Sequence, residues 1–148
     1  MSPAAHRLWH WISRGLLGLA GLGLIVDGAL HWILYGRSGL KAIDASSLPA
    51  VLRSDFATFW VADVVTLWAA GTILVWTALR PMAASAFIVF VVSAIPAGLG
   101  VFNVLHNGMW IASFNMLAAA SLGMIGAVTK AYVERRIRLQ SLMDDDLA

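Results

Sequence analysis

Residues 15–35 read GLLGLAGLGLIVDGALHWILY, a long apolar run that contains Asp27 and His31. A membrane-spanning helix needs about 20 mostly apolar residues, and this run has the required length and composition. An ionisable side chain inside such a helix costs roughly 2.5 to 3.5 kcal/mol on insertion scales. Because chains seldom carry several such groups without a use for them, the run predicts a spanning helix with a polar site inside the membrane.

The composition of the whole chain indicates an integral membrane protein. Of the 148 residues, 60% are hydrophobic and 12% are charged, against roughly 25% charged residues in a soluble domain; the mean hydropathy is +0.81. The chain has no cysteine, which excludes disulfides, iron–sulfur clusters, thiolate metal sites and cysteine nucleophiles. The net charge of +2 comes from basic residues at the ends of apolar segments. We therefore predict the lipid bilayer as a partner and no nucleic acid.

The apolar windows predict the fold class, an all-α integral membrane protein in a single domain, built as an antiparallel bundle of four transmembrane helices. The predicted spans are residues 12–35, 56–79, 82–106 and 109–133. Short links after the second and third spans favour antiparallel neighbours. The longer connection after the first span predicts a short surface helix near residues 48–53.

The distribution of Lys and Arg predicts the orientation of the bundle in the membrane. With four spans, one side carries Arg7, Arg14, Arg80, Lys130, Arg135, Arg136 and Arg138, and the other carries Arg37, Lys41 and Arg53. The positive-inside rule then puts both termini in the cytoplasm, with residues 134–148 as a basic and then acidic cytoplasmic tail. We predict a multi-pass protein of a bacterial inner membrane.

Polar side chains from separate spans fall at similar depths below the outer surface. At about 1.5 Å per residue, Asp27 lies about 12 Å deep, Asp63 about 10 Å and Asn115 about 9 Å. Four further polar residues lie nearer the same surface, and together these seven predict a polar pocket in the outer leaflet. The predicted lining is Asp27, His31, Asp63, Asn103, His106, Asn107 and Asn115.

Spacing along the helices supports a shared interior for these groups. Asp27 and His31 are four residues apart and therefore stack on one face of the first span. Asp63 and Thr66 do the same on the second span. Trp60 and Trp68 lie on either side of Asp63, where an aromatic wall for an apolar ligand and ordinary packing are both expected.

The first functional hypothesis is a membrane-embedded enzyme of isomerase, hydrolase or lyase type that acts on a small lipophilic substrate. Asp27 and Asp63 would be the catalytic proton carriers, and His31 would tune the first of them, so that one carboxyl is an acid and the other a base. This hypothesis requires no cofactor. The predicted substrate-binding residues are Asn103, His106, Asn107, Asn115, Trp60, Trp68 and Thr66.

Three alternatives stay open at this point. His31, His106, Asp27 and Asp63 are also the candidate ligands of a divalent metal, or the histidines of a haem, in a subunit or at an interface between copies of the chain. A paired acidic site open to one face is also suited to proton-coupled or cation-coupled transport. The fourth interpretation is a scaffold whose polar residues hold helices together.

The first helix carries a resemblance to a known family. Arg14-Gly15-Leu16-Leu17-Gly18, leading to Asp27-Gly28 and His31, resembles the first helix of small four-helix bacterial membrane proteins of the DoxX type. The likeness covers this helix alone, so it implies a four-helix membrane fold and no particular activity.

Overall fold

The computed structural model describes residues 3–109 and 111–145, and these are helical almost throughout, with no strand among them. The chain forms α1 (Pro3–Leu34), a π-helical turn (Tyr35–Gly39), a short α2 (Leu40–Asp44), α3 (Ala50–Leu79), α4 (Ala86–Asn107) and α5 (Ile111–Asp145). Within these described ranges, four helical segments are long and apolar enough to cross a membrane. The all-α class is therefore confirmed, and the four long helices support a multi-pass membrane protein.

The first long helix continues beyond the predicted end of the first span. It passes from α1 through the π-helical turn into α2 and ends at Asp44. The separate short helix predicted near residues 48–53 is wrong, because Ala50 to Arg53 form the first turn of α3. Pro49, with φ −52° and ψ 147°, is the N-cap of α3. No glycine or proline interrupts residues 50–56, so the helix that starts there continues into the span.

The other helix boundaries have identifiable local causes. Residue Arg80 has φ −125° and ends α3, and turns follow it. The hydroxyl of Ser85 accepts a hydrogen bond from the backbone N–H of Ile88, which caps α4 and starts it at Ala86 rather than at the predicted residue 82. Gly108 ends α4 with φ 80°, a left-handed conformation that glycine adopts without steric cost.

Helix α1 lies at the centre of the bundle and packs against both α3 and α5, while α4 packs mainly against α5. Gly21 and Gly71 bring α1 and α3 into backbone contact, since a Cβ added to Gly21 would lie 2.6 Å from the Gly71 carbonyl oxygen. Small residues at such positions allow the close approach that membrane helices require. The buried core around this contact consists mainly of aliphatic side chains, including Leu17, Leu24, Leu67, Leu74 and Met116.

Basic side chains hold the bundle toward the start of α1 and the end of α5, which we term the basal end. Arg14 donates from Nε to the Ala78 carbonyl oxygen at 2.7 Å, near the C-terminus of α3. Lys130 donates from Nζ to the Pro81 carbonyl oxygen and forms an ion pair with Glu134. Carbonyls at a helix C-terminus lack partners within the helix, so Arg14 satisfies a group of α3 that would otherwise be left unpaired.

Candidate functional site

The C-terminal half of α1 and the N-terminal half of α3 bring together an imidazole and two carboxyl groups. Asp27 is 0% exposed and His31 is 6% exposed. The His31 Nδ1 atom lies 3.9 Å from Asp27 Oδ1, and its Nε2 atom lies 3.8 Å from Asp63 Oδ2. The imidazole ring therefore stands between the two carboxyl groups, with one nitrogen toward each. We term Asp27, His31 and Asp63 the acidic triad.

The backbone defines which nitrogen of His31 carries hydrogen. Nδ1 lies 3.0 Å from the carbonyl oxygen of Asp27, one turn earlier in α1. A carbonyl oxygen only accepts hydrogen bonds, so this contact is a hydrogen bond when Nδ1 is the donor. In the neutral ring Nε2 then has a lone pair that faces Asp63. Two facing acceptors repel, and a proton on His31 or on Asp63 is needed to make this contact attractive.

Helix α5 adds a third side to the site through Asn115. Its Nδ2 atom donates to Asp27 Oδ1 at 3.3 Å. Within the described part of the chain, the other oxygen of Asp27, Oδ2, is buried and has no hydrogen-bond partner, and the same holds for Asp63 Oδ1. Buried polar atoms are nearly always paired in folded proteins, so two such oxygens in one cluster make it the candidate functional site.

Two tryptophans of α3 fix the position of Asp63 relative to α1. The Trp60 Nε1 atom donates to the His31 carbonyl oxygen at 3.1 Å, and the Trp68 Nε1 atom donates to the Ile25 carbonyl oxygen at 3.2 Å. Each indole packs against a glycine of the first long helix, Trp60 on Gly39 and Trp68 on Gly28. The two indoles therefore attach α3 to α1 on both sides of Asp63 and set the height of its carboxyl group beside His31.

The same tryptophans belong to an aromatic cluster at the α1–α3 contact. Ring centroids are separated by 6.5 Å for Trp32 and Trp68, 6.1 Å for Trp32 and Tyr35, and 5.6 Å for Tyr35 and Trp60. We term these four residues the aromatic cluster. The sequence prediction omits Tyr35, although its position four residues after His31 continues the face of Asp27 and His31.

Other predicted site residues have different surroundings. The Thr66 hydroxyl donates to the Ala62 carbonyl oxygen of its own helix at 2.8 Å. The His106 ring is exposed, stacks on Phe102 with centroids 4.1 Å apart, and contacts the Phe102 carbonyl oxygen through Nδ1. Asn103 is half-buried on α4. The side chain of Asn107 lies outside the described part of the chain. The contacts of the triad therefore involve the predicted residues Asp27, His31, Asp63 and Asn115 and, through its bond to the His31 carbonyl, Trp60.

The geometry of the acidic triad does not favour a metal ion. Among the described residues, no group of three or more His, Asp or Glu side chains is arranged to hold one. The physical reason is that Asp27 and Asp63 lie on opposite sides of the imidazole. A single ion bound to one ring nitrogen of His31 would therefore have only one of the two carboxylates within reach.

Comparison with known proteins does not assign a family. The chain matches no family model, no curated protein and no solved structure. The resemblance of α1 to the first helix of DoxX-type proteins thus stays limited to the residues that carry it. The geometry of the site is therefore the basis for the function proposed below.

Proposed function

We propose that this chain is a membrane-embedded enzyme that performs acid–base chemistry on a small lipophilic molecule. The observation that carries the proposal is the position of the His31 imidazole between the carboxyl groups of Asp27 and Asp63. The imidazole can hold at Nε2 the proton that Asp63 takes from the substrate and return it through Asp63 to another position, which suits an isomerisation. In an isomerisation one proton leaves a carbon and another is delivered elsewhere on the substrate, so the atoms balance without an external oxidant.

The three groups of the acidic triad would have different roles. Asp63 has a side chain that is 22% exposed, so it is the group that would exchange a proton with the substrate. His31 would relay that proton. Asp27 is buried and accepts a hydrogen bond from Asn115, which suits a carboxylate that orients and stabilises the imidazolium. The nitrogen–oxygen separations in the triad exceed hydrogen-bond distances, and such contacts commonly shorten when substrate binds.

The substrate would reach Asp63 from the lipid. Trp32 is 48% exposed and Trp68 is 38% exposed, and both belong to the aromatic cluster beside the triad. Aromatic side chains at such a surface bind apolar molecules by contact area. The amides of Asn103, Asn107 and Asn115 are proposed to orient the polar end of the substrate.

The proposal includes a setting in the membrane. We propose an antiparallel bundle in a bacterial inner membrane, with both termini cytoplasmic and the acidic triad in the outer leaflet. The contacts between the first long helix and α3 support this arrangement. Gly21 packs against Gly71, Gly28 against Trp68, and Gly39 against Trp60. Residue numbers thus rise along one helix while they fall along the other, as in antiparallel helices. The excess of Lys and Arg near the termini supports the orientation.

Isotope incorporation tests the proposed reaction even when the substrate is unidentified. The purified protein in lipid nanodiscs is incubated with a lipophilic membrane extract, once in deuterated water and once in oxygen-18 water. Mass spectrometry then records which species gain carbon-bound deuterium or oxygen-18. We expect a protein-dependent gain of deuterium for an isomerase or lyase and of oxygen-18 for a hydrolase.

Matched variants decide whether the acidic triad carries the reaction. Asp63→Asn is expected to lower the rate of incorporation by about a hundredfold or more. Asp55→Asn makes the same change at an exposed position of the same helix and is expected to leave the rate unchanged. The proposal fails if the wild-type protein labels no species, or if Asp63→Asn labels the same species at the wild-type rate.

A further inference from the structure

The hydrogen bonds within the site leave mainly acceptor atoms, rather than donor groups, for a ligand. In the part of the chain that the structure describes, the buried oxygens of the triad without partners are Asp27 Oδ2 and Asp63 Oδ1. The other Asp27 oxygen already accepts from Asn115, and the indole N–H groups of Trp60 and Trp68 already donate to α1 carbonyls. The atoms that can still bind a ligand are therefore hydrogen-bond acceptors.

We infer that the ligand of this site is a lipophilic molecule that carries an N–H or O–H donor, rather than one whose polar group is a carbonyl or an ether. The donor would lie on the carboxyl group of Asp63, and the apolar body would lie against the aromatic cluster. This inference rests on the proposed function and names its substrate class. A ketone could pair only with a protonated carboxyl, whereas an alcohol or an amine finds an acceptor on the carboxyl group in either protonation state.

The placement of Asp63 makes the donor contact accessible. Its side chain is partly exposed although Oδ1 itself is buried. The terminal torsion of an aspartate is broad and roughly two-fold, so a half-turn about it exchanges the two oxygens. Asp27 lies behind His31 and is fully buried. Asp63 is therefore the carboxyl group that an entering donor would meet.

Three probes with one skeleton separate donor from acceptor recognition. These are 4-phenylcyclohexanol, 4-phenylcyclohexylamine and 4-phenylcyclohexanone, with phenylcyclohexane as the apolar baseline. Binding to the protein in nanodiscs is followed by tryptophan fluorescence, and empty nanodiscs give the correction for partition into lipid. We expect the alcohol or the amine to bind about tenfold or more tightly than the ketone, because the ketone leaves buried acceptors unpaired.

The ratio of alcohol to ketone affinity within each variant is insensitive to partial misfolding, since both probes report on the same folded fraction. Asp63→Asn introduces an amide donor, so the ratio is expected to fall at least about fivefold toward the ketone. Asp55→Asn is the control and should keep the wild-type ratio. A ketone that binds the wild-type protein as tightly as the alcohol and amine do overturns the inference, as does an unchanged ratio in Asp63→Asn.

The amine and the alcohol distinguish the two sources of a donor. Tighter amine binding identifies a cationic ligand attracted by the carboxylates and the aromatic rings, and equal binding identifies a neutral donor. Binding is measured without turnover. If the protein selects donors but incorporates no isotope, the enzyme proposal is rejected and the proposed ligand class is retained. Isotope incorporation without donor selectivity rejects the ligand class alone.

Discussion

The basal end of the bundle and the acidic triad use polar groups in opposite ways. At the basal end, Arg14 and Lys130 each donate to a carbonyl oxygen of another segment. In the triad, Asp27 and Asp63 each keep a buried oxygen without a partner among the described residues. Polar groups that are paired stabilise a fold, whereas unpaired buried groups destabilise it and persist where function requires them. The basal end is therefore expected to stabilise the fold, whereas the triad is where we propose the chemistry.

The largest expected effect concerns the backbone contact between α1 and α3 that lies between the two regions. Gly21→Leu would put a side chain where even a Cβ lies 2.6 Å from the Gly71 carbonyl oxygen. We expect the free energy of unfolding to fall by about 3 kcal/mol or more, because α1 and α3 must separate. Denaturant unfolding in detergent micelles, followed by circular dichroism, measures the change. Gly15→Leu is the control, since nothing lies within 4 Å of its added Cβ; equal losses in both variants would contradict the close-contact account.

A cation at the basal end should contribute more to stability than an exposed one. Lys130→Met removes the bond to the Pro81 carbonyl and the ion pair with Glu134. We expect a loss of about 2 kcal/mol in the free energy of unfolding, because a half-buried residue's carbonyl loses a charged donor. Arg135→Met, at an exposed position of α5, is the matched control with a small expected change. The basal end would not be a stabilising region if the two variants unfold alike.

The indole bonds between α3 and α1 should have an intermediate effect. Trp68→Phe keeps an aromatic ring over Gly28 but removes the donor to the Ile25 carbonyl. The expected loss is about 1 kcal/mol in the free energy of unfolding. The rate of isotope incorporation should also fall, because Asp63 is positioned by this attachment. A variant with wild-type stability and rate would show that the indole bond does not position α3.

The smallest effect on stability is expected within the triad itself. Asp27→Asn keeps an oxygen that accepts from Asn115 and removes a carboxyl group that is 0% exposed. Removing a buried charge stabilises the folded protein, whereas the new amide group without a partner destabilises it. The two effects oppose each other, so the free energy of unfolding should change by about 0.5 kcal/mol or less. Isotope incorporation should nevertheless be lost. A loss of stability as large as that of Lys130→Met would remove the distinction between the two regions.

The sequence predicts the helices better than it predicts their rotation. Apolar length alone yields four spans, and rise per residue puts Asp27, Asp63 and Asn115 at a common depth. Which side chains face one another depends on rotation about each helix axis. That rotation is weakly encoded where a helix is apolar on every side, as α4 largely is. Depth alone thus groups His106 with the pocket, although its ring lies exposed on Phe102.

Local backbone features also lie beyond what the sequence predicts. The π-helical turn at Tyr35–Gly39 continues α1 into α2, whereas the glycines at 36 and 39 favour an end to the helix. The ring of Trp60 packs on Gly39. This contact joins residues that are distant in sequence, and it is one reason why the helix does not end where its own residues would allow.

The length of the first helical segment has a consequence for proton supply. Residues Arg7–Asp44 form one helical stretch of 38 residues, about 57 Å at 1.5 Å per residue, against a hydrocarbon layer of about 30 Å. A stretch of that length extends into water even when it is tilted. The imidazole of His31 would then lie a few helical turns from bulk water. In the proposed reaction, water could supply protons to the imidazole while the substrate enters from the lipid.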